Sequence, residues 1–232
     1  MFVKIIFSLL LSLPLLLPAI AQSSWAGENE IYFVRHAESM GNLTHKHTQK
    51  NDRTLSPKGI KQAQQLMHTL DSLHIDVVIV SPKYRALLTI LPYLKSRRIT
   101  AEIWPELAEC CWQKKQQYRS PSYSLARGKK IKLTTKLQRW FSFPDTDSHY
   151  NYHTRNYPDG LLQTQKAVKR LKESAKQSDK TILIIGHYHA GSRLLEMLQN
   201  LEPIGRYKLA NTSISHLVEK ADGSYLLLNQ KR

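Results

Sequence analysis

The sequence predicts an α/β fold built on a doubly wound, mostly parallel sheet. Two observations lead there. Short apolar runs of strand length alternate with stretches of helical periodicity along most of the 232 residues. Three runs far apart in sequence (residues 31–34, 77–80 and 181–185) each deliver a basic or imidazole group just past their carboxyl end: Arg35-His36, Arg85 and His187. As parallel neighbours, these strands would bring the four side chains to one crevice at the sheet edge, where open α/β sheets bind ligands. Such a crevice binds an anion.

The elements follow in order. Residues 1–21 carry Lys4, an apolar run from Ile5 to Leu17 broken by Pro14, and the small-residue site Ala19-Ile20-Ala21. That is the pattern of a secretory signal peptide, with Gln22 as the first mature residue and a periplasmic or secreted location. The run is short for a bilayer span and contains proline. After the first strand, residues 43–53 are polar, and His45 and His47 read as part of a solvated loop rather than as metal ligands, because no third ligand stands nearby. Ser56-Pro57 then starts a helix, with serine capping free amides and proline at the first helical position. Ile60, Ala63, Met67, Leu70 and Leu73 mark its buried stripe. The second strand ends in Ser81-Pro82, which reads as the same capping device. Leu87, Leu88, Leu91 and Leu94 mark the next helix, which Pro92 should kink or shorten. Residues 99–104 form a candidate third strand.

Composition shifts at residues 113–157. These 45 residues hold ten Lys or Arg, two Asp, and eight of the chain's twenty Phe, Trp and Tyr. On composition alone they read as a loosely packed basic surface excursion. Leu162, Gln165, Val168, Leu171 and Ala175 then mark an amphipathic helix, and Leu194, Leu195, Leu198 and Leu201 mark another. Residues 213–219 and 225–228, joined through Asp222-Gly223, read as a hairpin.

Overall, 34 Lys and Arg against 18 Asp and Glu give a formal charge of +16. A balance that basic calls for an anionic partner: a phosphorylated small molecule, an anionic membrane face touched peripherally, or nucleic acid. Export argues against nucleic acid, although basic residues interleaved with aromatics would suit a single strand. Cys110 and Cys111 are the only cysteines. Neighbours form only a strained disulfide, so they read as two small buried residues, and no disulfide framework stabilises the fold.

Arg35-His36-Ala37-Glu38-Ser39 with Asn42 resembles the signature of the histidine phosphatase superfamily, phosphoglycerate-mutase-like branch. Four further blocks resemble that family in order: Leu55-Ser56-Pro57-Lys58-Gly59 with Gln62-Ala63, Ser81 with Arg85-Ala86 and Thr89, Leu107-Ala108-Glu109, and Gly186-His187 followed by Asn211-Thr212-Ser213. The resemblance implies three layers, a mixed sheet of about six strands, and residues 113–157 as an inserted lid covering the site. It implies a metal-independent phosphatase without a cofactor, in which His36 is the nucleophile. Arg35, Asn42, Arg85 and His187 would hold the phosphoryl group, and Glu109 would be the acid and then the base. Glu106, three residues earlier, competes for that last role.

The residue chemistry is consistent with this. An imidazole attacks phosphorus through an unprotonated nitrogen. His36, with a reference pKa of about 6.5 and flanked by arginines, should be neutral near pH 7. Planar guanidinium forks match phosphate oxygens. Departures from the family pattern are Ala37 in place of glycine, Gly160-Leu161-Leu162 where relatives carry an acid, and Tyr188-His189 after His187. His189 reads as packing or as a substrate contact. Three functions stay open: an exported phosphomonoesterase, a phosphomutase, and a catalytically silent phosphate-binding module.

Overall fold

The computed structural model describes residues 29–111, 128–144, 148–150, 157–175 and 179–231. The predicted leader lies outside these residues, as does much of the predicted insertion. Seven strands form one sheet: β1 (Glu30–Arg35), β2 (Val77–Val80), β3 (Ala101–Ile103), β4 (Phe141–Ser142), β5 (Thr181–Gly186), β6 (Ile214–Glu219) and β7 (Tyr225–Lys231). Their order is β4-β3-β2-β5-β1-β6-β7. β1, β2, β3, β4 and β5 pair in parallel, while β6 runs antiparallel to both β1 and β7. The helices are α1 (Met40–Thr44), α2 (Gln49–Asp52), α3 (Pro57–Leu70), α4 (Tyr84–Arg97), α5 (Thr135–Gln138), α6 (Tyr157–Ala175) and α7 (His189–Leu198).

The central strands are uniformly apolar because both faces are covered, and alternate side chains divide between two cores. Val34, Val78, Val80, Leu183 and Ile185 pack with Leu66 and Leu70 of α3 and with Leu87, Ile90 and Leu94 of α4. Ile31, Phe33, Ile79, Ile182 and Ile184 pack with Ala167, Val168 and Leu171 of α6 and with Leu194, Leu195 and Leu198 of α7. This gives the three layers, and each fully buried aliphatic side chain stabilises them by about 1.5–3 kcal/mol.

Several expectations need correcting. The seventh strand, β4, lies inside the stretch expected to be a lid. It pairs with β3 at Ala101 and Glu102, and Ile131, Leu137, Phe141 and Tyr150 join the α3–α4 core. These described parts of the insertion extend the fold's edge and are not loose surface. The stripe on α3 is also rotated: Ile60 is exposed, and Gly59, Ala63, Leu66 and Leu70 are the buried positions. On α6, Leu162 and Gln165 face outward while Gln163, Thr164, Ala167, Val168 and Leu171 are buried. α4 passes through Pro92 and ends at Arg97, where Arg98 adopts a left-handed conformation.

The Ser56-Pro57 cap holds as predicted, with Gly59 N–H donating to Ser56 Oγ at 2.9 Å. Gly59 itself is required by a close approach, since a Cβ there would overlap the Glu38 carbonyl oxygen. α3 therefore docks against the loop that leaves β1. The hairpin turn also holds. Gly223 takes φ 72°, and Lys220 N–H donates to the Ser224 carbonyl at 2.7 Å.

Candidate active site

The register of the sheet places the site. Arg35 of β1 is level with Gly186 of β5, and Val80 of β2 is level with Ile185. His36, Ser81 and His187 are therefore the first residues beyond three adjacent parallel strands. Backbone bonds extend the ladder to this level, from His36 N–H to Gly186 O and from Ser81 N–H to Ile185 O, both at 3.0 Å.

His36 is buried, with 2% exposed. Its Nδ1 lies 2.7 Å from the Ala37 carbonyl oxygen, which can only accept, so Nδ1 carries the proton. Arg85 Nε–H donates to Nε2 at 3.0 Å. The two partners agree on one tautomer, with the lone pair on Nε2. Burial, then the charges of Arg85 and Arg35, push the imidazole pKa well below 6.5. The loop is pinned on both sides: Ala37 N–H donates to Thr89 Oγ1 at 2.8 Å, and Asn211 Nδ2 donates to the His36 carbonyl at 2.8 Å. Thr89 Oγ1 in turn donates to the Arg85 carbonyl at 2.6 Å, tying the nucleophile loop to α4.

His187 is fully buried, and its ring centroid lies 5.1 Å from that of His36 at an interplanar angle of 61°. Its Nε2 is 2.6 Å from Ser81 Oγ, which also accepts the Lys83 N–H at 3.3 Å. With Ser81 Oγ donating to His187 Nε2, the neutral ring carries its proton on Nδ1. That nitrogen is buried without a hydrogen-bond partner among the described residues. Burial, then Arg85 and His36, push the His187 pKa well below 6.5. Ser81 was expected to cap α4. It does not: α4 starts at Tyr84 with Lys83 as its uncapped N-cap residue, and Ser81 orients His187 instead.

Arg85 is 8% exposed, and its Nη1 lies 3.7 Å from Asp52 Oδ2. Arg35 donates from Nη1 to the Leu209 carbonyl at 2.7 Å and lies over the Tyr188 ring. Burial lowers its pKa and the nearby charge of Glu109 opposes this. Glu109 Oε1 accepts two amides, Ala190 N–H in the first turn of α7 at 2.9 Å and Cys110 N–H at 3.2 Å. Its competitor Glu106 is directed elsewhere, with Oε1 3.3 Å from Arg170 Nη1 on α6. The two carboxylates thus have different partners, at the start of α7 for Glu109 and on α6 for Glu106.

Asn42 has a structural role at the start of α1. Its Oδ1 accepts Ser39 N–H and its own N–H donates to Ser39 Oγ, both at 3.2 Å, closing a capping box at α1. His189 is the first residue of α7 and packs edge-on against Tyr188. His47 pairs with Asp52 at 3.1 Å. Cys110 and Cys111 are both buried beside Gly160 of α6, and burial raises the Cys110 thiol pKa well above its ordinary value. Sequence reasoning missed Asp52 and the true role of Ser81. Asp52 has no local signal, because it lies in a polar run and meets Arg85 only through the fold.

Taken together, these side chains can hold a tetrahedral anion against a neutral imidazole. A sequence model of the histidine phosphatase superfamily, branch 1, matches residues 31–231. The chain belongs to that superfamily. A probable phosphatase of Schizosaccharomyces pombe is 34% identical over 90 residues, which span 36% of this chain and 42% of that protein. The fold is similar to that of an alpha-ribazole phosphatase from Shigella flexneri, with a TM-score of 0.62, 18% identity, and 88% of this chain and 96% of that one covered. It is also similar to a phosphoserine phosphatase from Entamoeba histolytica, with a TM-score of 0.59, 17% identity and coverage of 88% and 96%. Among the described residues, no group of three or more His, Cys, Asp or Glu could hold a metal ion. No described helix is long and apolar enough to cross a membrane.

Proposed function

We propose that this chain is an exported, metal-independent phosphomonoesterase that works through a phosphohistidine at His36. The observation that carries this reading is the state of His36 Nε2: unprotonated, buried, and bonded to a guanidinium that matches phosphate. An arriving phosphomonoester draws Arg85 onto its oxygens and frees the Nε2 lone pair. Nε2 then attacks phosphorus while the bond to the ester oxygen breaks. Glu109 supplies the proton that the leaving oxygen needs; Oε1 is held by two amides, so the transfer falls to Oε2. Water attacks the phosphoryl group next, Glu109 takes its proton, the N–P bond breaks, and inorganic phosphate leaves with His36 neutral again.

Arg35, Arg85 and the Nδ1–H of His187 are the donors for the equatorial oxygens as charge redistributes. Asn42 retains its Nδ2 donor for the same group. The arginines perform the charge neutralisation that a metal would otherwise supply. Export rests on Lys4, the apolar run after it and Ala19-Ile20-Ala21. It favours a phosphorylated small molecule or envelope component as substrate over nucleic acid. The basic surface suits peripheral contact with an anionic membrane.

The test is to trap the intermediate. A substrate labelled in its phosphoryl group, quenched rapidly without acid, should leave label on His36 that is stable to base and lost in acid. His36→Ala should lose both label and turnover. Substantial turnover in that variant would point to direct attack by water. Tight phosphate binding without label or turnover in the wild type would make the chain a binding module.

A further inference from the structure

Beside Arg85 lies a cleft of about 430 Å³, a volume that takes a small phosphorylated molecule. Among the described residues, six cationic ones line it: Arg53, Lys83, Arg85, Lys129, Lys130 and Lys132. Among the described lining residues the one carboxylate is Asp52. One phosphoryl group at His36 needs only the near end of this array. Lys129, Lys130 and Lys132 come from the inserted segment and form the far wall.

That wall is fixed in place. Tyr84 Oη donates to the Lys132 carbonyl at 3.2 Å, and Tyr150 N–H donates to the Lys129 carbonyl at 2.9 Å. Ile131 between them is buried in the core. The near wall is equally ordered, with the Arg53 guanidinium 4.0 Å over the Tyr84 ring and Lys83 Nζ 5.5 Å from the Tyr150 ring. Like charges lining one cleft repel one another, and an anion bound there relieves that repulsion. Burial first, and then the Arg85 charge, push the Lys83 pKa down to about 8, while Asp52 and Glu109 oppose the shift.

Building on the phosphatase reading, we propose that this cleft is a second-phosphate subsite, so that the substrate is a phosphomonoester carrying at least one further phosphate group. The scissile phosphate sits at His36 and Arg85. The second is received by Arg53, Lys129, Lys130 and Lys132, with Lys83 between the two. A soluble sugar bisphosphate and a doubly phosphorylated lipid headgroup share this chemistry.

Calorimetry on the protein with orthophosphate, pyrophosphate and tripolyphosphate tests the subsite without requiring turnover. Tripolyphosphate should bind more tightly than orthophosphate by about tenfold or more, corresponding to at least one further charge pair. The triple variant Lys129→Gln/Lys130→Gln/Lys132→Gln should collapse that ratio. A control that removes the same charge from α6, Lys166→Gln/Lys169→Gln/Lys172→Gln, should keep it. Equal affinities for the three anions, or equal losses in the two triple variants, would overturn the subsite. Turnover then identifies the source: fructose 1,6-bisphosphate against fructose 6-phosphate in solution, and bisphosphorylated against monophosphorylated inositol lipid in vesicles. Preference for the doubly phosphorylated member in either arm supports the proposal, and preference for the monophosphate in both refutes it. A protein that shows the binding ratio yet never hydrolyses nitrophenyl phosphate would instead sink the phosphatase reading, leaving the cleft as a polyanion site.

Discussion

Replacing Ser81 by Ala tests the internal logic of the site more sharply than removing a reacting group. Ser81 is fully buried, and its hydroxyl lies 2.6 Å from His187 Nε2. The substitution removes the group that keeps the His187 proton on Nδ1. It also leaves a buried ring nitrogen without its partner and the Lys83 N–H without its acceptor. A neutral buried hydrogen bond contributes about 1 kcal/mol net, and an orphaned buried polar atom costs about 1–3 kcal/mol. If about 1.4 kcal/mol of that falls on the transition state, kcat/KM for an aryl phosphate drops about tenfold. Because the imidazole itself remains, the fall should be far smaller than for His36→Ala. A purely structural lesion could imitate the rate loss, so ¹⁵N NMR of the histidine rings supplies the second readout. The wild type should show His187 protonated at Nδ1, and Ser81→Ala should show the proton redistributed toward Nε2. A wild-type ring protonated at Nε2, or a variant within about twofold of wild type in kcat/KM, would refute the tautomer argument.

Three further outcomes are expected. The pKa values of His36 and His187 are both depressed by burial first and by Arg85 next. The folded state therefore binds fewer protons than the unfolded chain below about pH 6.5, so stability is complete above that value and falls as pH drops through it. Urea midpoints at pH 7.5 and 5.5 should show the loss, while the acid limb of kcat/KM, corrected for the substrate's own ionisation near pH 6, should lie well below 6.5; a limb at 6.5 or above would contradict the buried, neutral imidazole. Glu109→Gln should lose most turnover of alkyl phosphates and much less with nitrophenyl phosphate, with chelator changing neither rate; equal losses, or a strict metal requirement, would reject the acid–base assignment and the metal-free mechanism. Amino-terminal sequencing of exported protein should begin at Gln22, and a terminus at Met1 or Phe2 would count against a soluble exported enzyme.

The site was legible where it is local and opaque where it is made by pairing. Arg35, His36 and His187 stand one step past apolar runs, and an apolar run buried on both faces declares a central parallel strand wherever it occurs. Their adjacency needed only the assumption that β1 and β5 are neighbours, which the register from Glu30↔Thr181 to Arg35↔Gly186 bears out. Ser81 shows the opposite case. Ser-Pro before a helix is a strong local capping pattern, and at Ser56 that reading was right. At Ser81 the same pattern lost to a partner 106 residues away, because β2 lies against β5 and places the hydroxyl on His187. A local cap is satisfied by one turn of chain, whereas a buried imidazole nitrogen has few candidates, so the tertiary demand prevails.

The α3 stripe was misread at one end, at Ile60, for a related reason. α3 carries Ile60, Ala63, Leu66, Met67 and Leu70, enough apolar residues for two overlapping stripes. The choice between them is made by Gly59, whose missing Cβ admits the Glu38 carbonyl and rotates Leu66 inward and Ile60 outward. β4 was hidden for a third reason. Two residues in a basic, aromatic stretch have no periodicity to read. The strand exists because the outer edge of β3 presents backbone groups that need partners, and Ala101 N–H finds the Trp140 carbonyl at 3.0 Å. That pairing anchors the inserted segment to the sheet, and the anchored segment is what carries Lys129, Lys130 and Lys132 to the rim of the phosphate site. The feature least visible in the sequence is therefore the one on which substrate choice depends in the proposed two-phosphate site.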